Sequence, residues 1–291
     1  MIIRAIGQAI DQVSALDELG SSLKSAIHNA VLKGGKPTRK LADLLHGTWL
    51  GHPLHPVLTD FTIGAWGIGA MFDAVAVATG DKRSRKIGNT LARVGTVAAV
   101  PTAITGLIDY STVKKPATSA ATLHALMNDV NIGLYLVSLR ERKRGNYARG
   151  VAWSMAAVGL TFASAWIGGY LVYGHKVGVN HSEASGPEEW TPVLAAADLP
   201  DNTPKRVTVD DNDILLYRLN GEVMAVDAVC SHAGGPLDEG SFDGCFVQCP
   251  WHDSVFDLRD GRVKHGPATI PQPAYAVRER DGQLEVRLST T

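Results

Sequence analysis

The chain has 291 residues, of which 45 % are hydrophobic and 20 % charged, and a formal net charge of −1. That charge is segregated: residues 1–180 hold 10 acids and 19 bases, and the rest hold 19 acids and 9 bases. A single uniform globule is excluded, and a boundary falls between His181 and Pro192. The three cysteines all lie within 230–249, which fits a metal site better than a disulfide framework. No low-complexity tract or internal repeat argues for a solenoid or disorder.

Residues 1–40 open with MIIRAIGQAIDQVSALDELGSSL, which lacks the compact apolar core of a signal peptide. Ile3, Ile6, Ile10, Val13 and Leu16 recur at helical spacing, so an amphipathic helix is expected, lying on a bilayer or packed on other helices. Four apolar runs follow at about 61–79, 87–108, 120–139 and 150–174. Each approaches the ~20 residues needed to span a bilayer. The third is the most polar, with His124, Asn128, Asp129 and Asn131.

Nine Lys and Arg residues flank one side of these spans, including Lys82, Arg83, Arg140 and Arg142, against four on the other. The basic loops are therefore expected in the cytoplasm, with both termini outside it. Charges within spans need partners, and Asp73 and Arg93 are expected at similar depth, as a salt bridge.

Antiparallel packing would bring four span ends to one face. They carry His52, His55 and Asp60, then Asp109 and Tyr110, then His124 and Asn128, and finally Tyr173 and His175. Imidazoles arriving from separate helices can ligate haem b or hydrogen-bond a quinone, or simply anchor the helix ends. Covalent haem is excluded, since no Cys-x-x-Cys-His occurs. The His-Pro-x-His-Pro pattern at 52–56 and the Gly-Gly-Tyr-Leu-Val-Tyr-Gly ending at 168–174 resemble a bacterial membrane family of unknown function over about 40–181. The resemblance implies a multi-pass protein of the bacterial inner membrane. It assigns no activity, and it leaves the side occupied by the C-terminal domain open.

After a polar linker at 182–192, residues 193–291 alternate in the manner of strands. Asn220-Gly221, Asp243-Gly244, Asp260-Gly261 and Asp281-Gly282 are hairpin signals because they supply positive φ. The fold class expected is thus multidomain: an all-α transmembrane four-helix bundle of residues 41–181 followed by an all-β domain.

Two loops of that β domain carry Cys230-Ser231-His232 and Cys249-Pro250-Trp251-His252. Such pairs could ligate zinc or a 2Fe-2S cluster. The one-residue gap of Cys-x-His is short for zinc, and the flanks AGGPL and DSVFD resemble the loops of Rieske iron-sulfur proteins from about Val193 onward. That resemblance implies Cys230 and Cys249 on one iron and His232 and His252 on the other. Gly266-Pro267-Ala268 would form the proline loop over the cluster.

Ser254 matches the serine that hydrogen-bonds a cluster sulfur, whereas Phe256 replaces the usual tyrosine. No extra cysteine pair matches the disulfide of cytochrome bc members. A low to intermediate potential of the ferredoxin type is expected. Cys245 reads as a half-buried strand residue. The function expected is one-electron transfer to or from a redox partner protein or a quinone, tethered to the lipid bilayer, with no nucleic acid involved. A redox sensor and an electron donor to a separate oxygenase are the alternatives. A stand-alone oxygenase would need a further mononuclear iron domain.

Overall fold

The computed structural model describes residues 2–182 and 185–289. They fall into two compact units, Met1–Gly35 with Leu54–Val177, and Lys36–Pro53 with Gly178–Thr291.

The first unit is helical. In place of one N-terminal helix there are two, α1 (Ile2–Asp11) and α2 (Ser14–Lys33). Four long helices follow: α4 (Leu54–Thr79), α5 (Lys82–Tyr110), α6 (Thr118–Lys143) and α7 (Tyr147–Tyr173), with α3 (Gly35–His46) intervening in the chain. Asp81 caps α5, its carboxylate accepting the N–H groups of Arg83 and Ser84. Among the described residues, α4, α5 and α7 are long and apolar enough to cross a membrane. The polar residues of α6 keep it below that mark, as its sequence foreshadows.

The polarity of this unit is inverted relative to a soluble domain. Large apolar side chains point outward, such as Phe61 at 60 % exposure and Phe162 at 73 %. The buried positions include Thr62, Thr96, Asn131, Ser138, Ser154 and Ser164. Lipid rewards that arrangement, since apolar surface costs nothing there and small or hydroxylic residues let helices approach. Asp73 pairs with Arg142 of α6 instead of Arg93, which faces outward. One Arg142 Nη donates to Asp73 Oδ1 at 2.8 Å and to Asn89 Oδ1 at 2.8 Å, the other to Ser154 Oγ at 2.8 Å. Tyr147 donates to Asp73 Oδ1 at 2.9 Å. Arg142 is therefore a buried partner within α6 and not one of the loop cations that orient the spans.

The helices also carry an internal repeat that the sequence reading overlooks. Leu54-His55, Asp60 and Ile63-Gly64 on α4 recur in the same spacing as Leu123-His124, Asp129 and Ile132-Gly133 on α6. On the same offset, Trp66 matches Tyr135 and Asp73 matches Arg142. Both of these pairs meet inside the bundle, the rings stacked with centroids 4.1 Å apart and 7° between planes. Two glycines of α5, Gly88 and Gly106, correspond to Gly150 and Gly168 of α7 at an offset of 62. A Cβ on Gly88 would fall 2.2 Å from Asp73 Oδ1, and one on Gly150 would fall 2.5 Å from Arg142 Cγ. Within the unit, α4–α5 and α6–α7 thus form two matching hairpins.

The second unit contains the β domain: β1 (Thr191–Ala195), β2 (Pro204–Val209), β3 (Asn212–Leu219), β4 (Glu222–Asp227), β5 (Ser241–Asp243), β6 (Phe246–Gln248), β7 (Val255–Asp257), β8 (Val263–His265), β9 (Ala274–Arg280) and β10 (Gln283–Leu288). They form an antiparallel sheet ordered β1-β10-β9-β4-β3-β2 and a smaller one ordered β5-β6-β7-β8. In β3, Leu215 and Tyr217 enter one core while Ile214 and Leu216 enter another, as the two-residue period requires.

The turns at Asn220-Gly221 and Asp281-Gly282 adopt the expected positive φ at both residues. Asp210-Asp211, unforeseen, does the same between β2 and β3. The described part of the linker is bonded to this domain: His181 N–H donates to Ser231 O, Ser182 Oγ to Asp227 Oδ2, and Leu288 N–H to Pro187 O.

Asp257 at the end of β7 supports a prediction. The Arg259 guanidinium, hydrogen-bonded to it, holds its carboxyl below the usual carboxylate range against the opposing effect of burial. A depressed folded-state value means the stabilisation is complete above the unfolded carboxylate range and is lost as pH falls through the folded value. Asp257→Asn should therefore flatten the acid limb of the stability profile, measured by urea unfolding between neutral pH and pH 3, and leave its slope near neutrality unchanged.

Candidate iron-sulfur site

The two cysteine loops are conformational copies. In the first, Cys230 N–H donates to Gly235 O at 2.8 Å and Gly234 N–H to Cys230 O at 2.8 Å. In the second, Cys249 N–H donates to Ser254 O at 2.8 Å and Asp253 N–H to Cys249 O at 3.2 Å. Each loop turns on a left-handed residue four positions after its cysteine, Gly234 at φ +75° and Asp253 at φ +65°. An aspartate tolerates that region better than most side chains.

The loops bring both predicted pairs together. Cys230 and Cys249 are 1 % and 2 % exposed and hydrogen-bonded to one another. That bond and burial push the Cys230 thiol far above its usual value, so metal binding here must displace protons. The His232 and His252 rings meet edge to face, centroids 4.9 Å apart at 85°. A Cβ on Gly235 would fall 2.8 Å from Cys249 Sγ, so only glycine leaves the sulfur its space.

Two soft thiols and two imidazoles, grouped by type, match the donor set of a Cys2His2 diiron cluster. Among the described residues no three His, Cys, Asp or Glu converge as a site for one ion. The residues present fit a 2Fe-2S centre.

The surrounding residues tie the loops to a third segment. Ser254 Oγ accepts Ala268 N–H at 3.0 Å and keeps its own proton to donate. Ser231 Oγ donates to Ile270 O at 2.7 Å. Phe256 is fully buried in the core beneath the loops. Cys245 is half-buried as expected, but it lies in the β5–β6 turn and not on a strand, its carbonyl accepting Leu258 N–H. The alternation with Phe246 suggested a strand; the tight Gly244 turn, at φ +57°, delays that strand to Phe246, one residue later. None of the three cysteines forms a disulfide.

The sequence reading missed two further residues. Arg39 donates to Asp253 O at 2.7 Å, and Asp43 contacts both Gly266 and His265. Only their four-residue spacing on a polar helix hinted at a shared face.

The membrane histidines are placed differently. His52 belongs to the second unit, exposed, with Nδ1 2.8 Å from Pro53 O. In the first unit His55 Nδ1 lies 2.9 Å from Thr102 O, and His124 Nδ1 lies 2.9 Å from Ser164 O. Each of these rings fills the space beside a glycine, Gly106 or Gly168, so the two sites are equivalent within the repeat. His175 Nε2 instead pairs with Asp11 at 3.0 Å and packs edge-on against Tyr170. Asp60 and Tyr173 face outward, and Tyr110 bonds Thr122.

The two loops of the β domain thus bring two cysteines and two histidines together. Comparison with known proteins agrees. The Rieske [2Fe-2S] domain matches residues 189–276, and the family described as a predicted membrane protein (DUF2231) matches 51–181. The anthranilate 1,2-dioxygenase ferredoxin subunit of Burkholderia cepacia is 36 % identical over 101 residues, covering 34 % of this chain and 93 % of that protein. The 3-phenylpropionate/cinnamic acid dioxygenase ferredoxin subunit of Photorhabdus laumondii is 37 % identical over 98 residues, covering 33 % and 92 %. Among solved structures, the ferredoxin of carbazole 1,9a-dioxygenase from Nocardioides aromaticivorans is 28 % identical over 34 % of this chain and 98 % of that one, with a TM-score of 0.33. The chain belongs to the Rieske [2Fe-2S] family, with a helical membrane-protein domain on the N-terminal side of its electron-transfer module.

Proposed function

We propose that this protein is a membrane-anchored Rieske ferredoxin that exchanges single electrons with a redox partner protein, with Cys230 and Cys249 on one iron and His232 and His252 on the other. The observation that carries this reading is the asymmetry of the donor set. Both thiols are at most 2 % exposed, whereas His232 is partly exposed and His252, buried at 8 %, lies beside Trp251 at 44 %. When bound, the cluster supplies one-electron redox chemistry, and imidazole donors raise its potential above the all-cysteine range.

The buried sulfurs exclude water, and Ser254 offers a hydroxyl proton toward the cluster side of its loop. Hydrogen bonds to sulfur favour the reduced state. With no tyrosine at Phe256 to add another, the potential is expected in the lower half of the roughly −150 to +300 mV Rieske span. EPR-monitored titration of the purified full chain tests both points. A Rieske signal with a low to intermediate midpoint supports the reading; no such signal, or a midpoint near the top of the span, overturns it.

The relatives serve dioxygenases, so electron donation to a separate oxygenase is the partner role the comparisons favour. A haem b or quinone in the bundle is the finer part of the proposal. The matched placement of His55 and His124 supports it, each having a backbone carbonyl beside Nδ1, and at His124 the Asn128 amide already donates to Nε2 at 3.1 Å, so His55 is the member with Nε2 to offer. His175 Nε2 is taken by Asp11, so His55 and His124 carry the proposal. Absorption spectra and quinol-dependent cluster reduction in native membranes at the bacterial inner membrane test it.

A further inference from the structure

Helix α3 presents one face to the iron-sulfur loops. Arg39, Ala42, Asp43 and His46 follow helical spacing, and Ala42 and His46 are buried while Leu41 and Leu44 on the other face are exposed. Arg39 donates to the carbonyl of Asp253, the residue between His252 and Ser254. Asp43 reaches the third segment with both oxygens: Oδ1 accepts Gly266 N–H at 2.8 Å, and Oδ2 lies 2.8 Å from His265 Nδ1. The fit is close, since a Cβ on Gly266 would fall 3.0 Å from Thr48 Oγ1 and 3.3 Å from His46 Cδ2. Two residues beyond Gly266, Ala268 N–H donates to Ser254 Oγ.

We propose that Asp43 is a positioning residue of the electron-transfer site, clamping the Gly266–Ala268 segment over the cluster loops from outside the Rieske module. Asp43 lies before both matched regions, 51–181 and 189–276, so neither family accounts for it. The chain of contacts runs from its carboxylate through Gly266 and Ala268 to the Ser254 hydroxyl. Arg39 acts on the neighbouring residue of the same loop. A carboxylate held beside the site also opposes the arrival of an electron, so its removal favours the reduced state.

The inference rests on the Rieske reading, and the experiment separates the two. Full-length wild type, Asp43→Asn, Asp43→Ala and Arg39→Gln are purified, and iron content, EPR spectrum and midpoint potential are compared with thermal unfolding. Asp43→Asn, which keeps an acceptor oxygen for Gly266 N–H, should show a raised midpoint, and Asp43→Ala, which releases the segment, should show a midpoint different from that of Asp43→Asn and altered g-values. Loss of the cluster from a still-folded Asp43→Ala chain supports the clamp as well. A lowered melting temperature with wild-type potential and g-values in all three variants overturns it, leaving a structural helix contact. Absence of a Rieske signal in the wild type overturns the parent reading instead. If Asp43→Ala does not fold, Asp43→Asn and Arg39→Gln decide by the same potential measurement.

Discussion

Cys230→Ala is expected to yield a folded chain without a 2Fe-2S centre. Iron should fall from about two atoms per chain to background, with loss of the visible absorption and of the reduced EPR signal. The fold should survive, because one small buried side chain is removed from a core that includes Leu215, Val226, Val247 and Phe256. A cost of roughly 1 kcal/mol is expected for so small a truncation. Cys245→Ala is the matched control. Its position in the β5–β6 turn predicts full iron content, and an equal loss of cluster in both variants would contradict the pairing of Cys230 with Cys249.

The second large effect is expected in the helical unit. Asp73→Asn leaves Arg142 buried without its counter-charge, and Arg142→Leu leaves Asp73 in the same condition. Each should cost about 3–5 kcal/mol, the range for breaking a buried ion pair from one side. Detergent-solubilised protein should show this as a large fall in melting temperature. Replacing both residues, Asp73→Leu with Arg142→Met, should recover most of the loss, because an apolar pair of similar volume needs no counter-charge. Asn89, Ser138, Ser154 and Tyr147 also contact the pair, so recovery in the double variant should stay incomplete. Additive losses would show that the two residues act independently.

The features legible in the sequence were those with short-range signatures. Cys-x-His and Cys-x-x-His sit on loops whose shape is fixed by bonds four and five residues apart, and the glycine turns at 220–221 and 281–282 follow from local backbone preference. The partner of Asp73 was not legible, because the charged run after Leu139 reads as a loop, whereas α6 continues to Lys143 and carries Arg142 into the bundle. Asp210-Asp211 was missed because its turn lacks the glycine that marks the others. The repeat was hidden because only five of its positions from Leu54 to Asp73 are identical in α6, and the matched interactions replace Trp by Tyr and Asp by Arg. Asp43 carries no sequence signal, since nothing near it in the chain reveals Gly266 or His265.

The two matching hairpins have a consequence for assembly. Were either half to pair with a copy of itself, the matched interior position would set Asp73 against another aspartate, or Arg142 against another arginine. Like charges buried together cost several kcal/mol, so each half discriminates against its own twin and selects the other. The ring level is less selective, since Trp66 and Tyr135 can each stack on their own kind. Divergence at this one buried level therefore makes the two halves obligate complements, and hairpins from neighbouring chains can exchange only as unlike pairs.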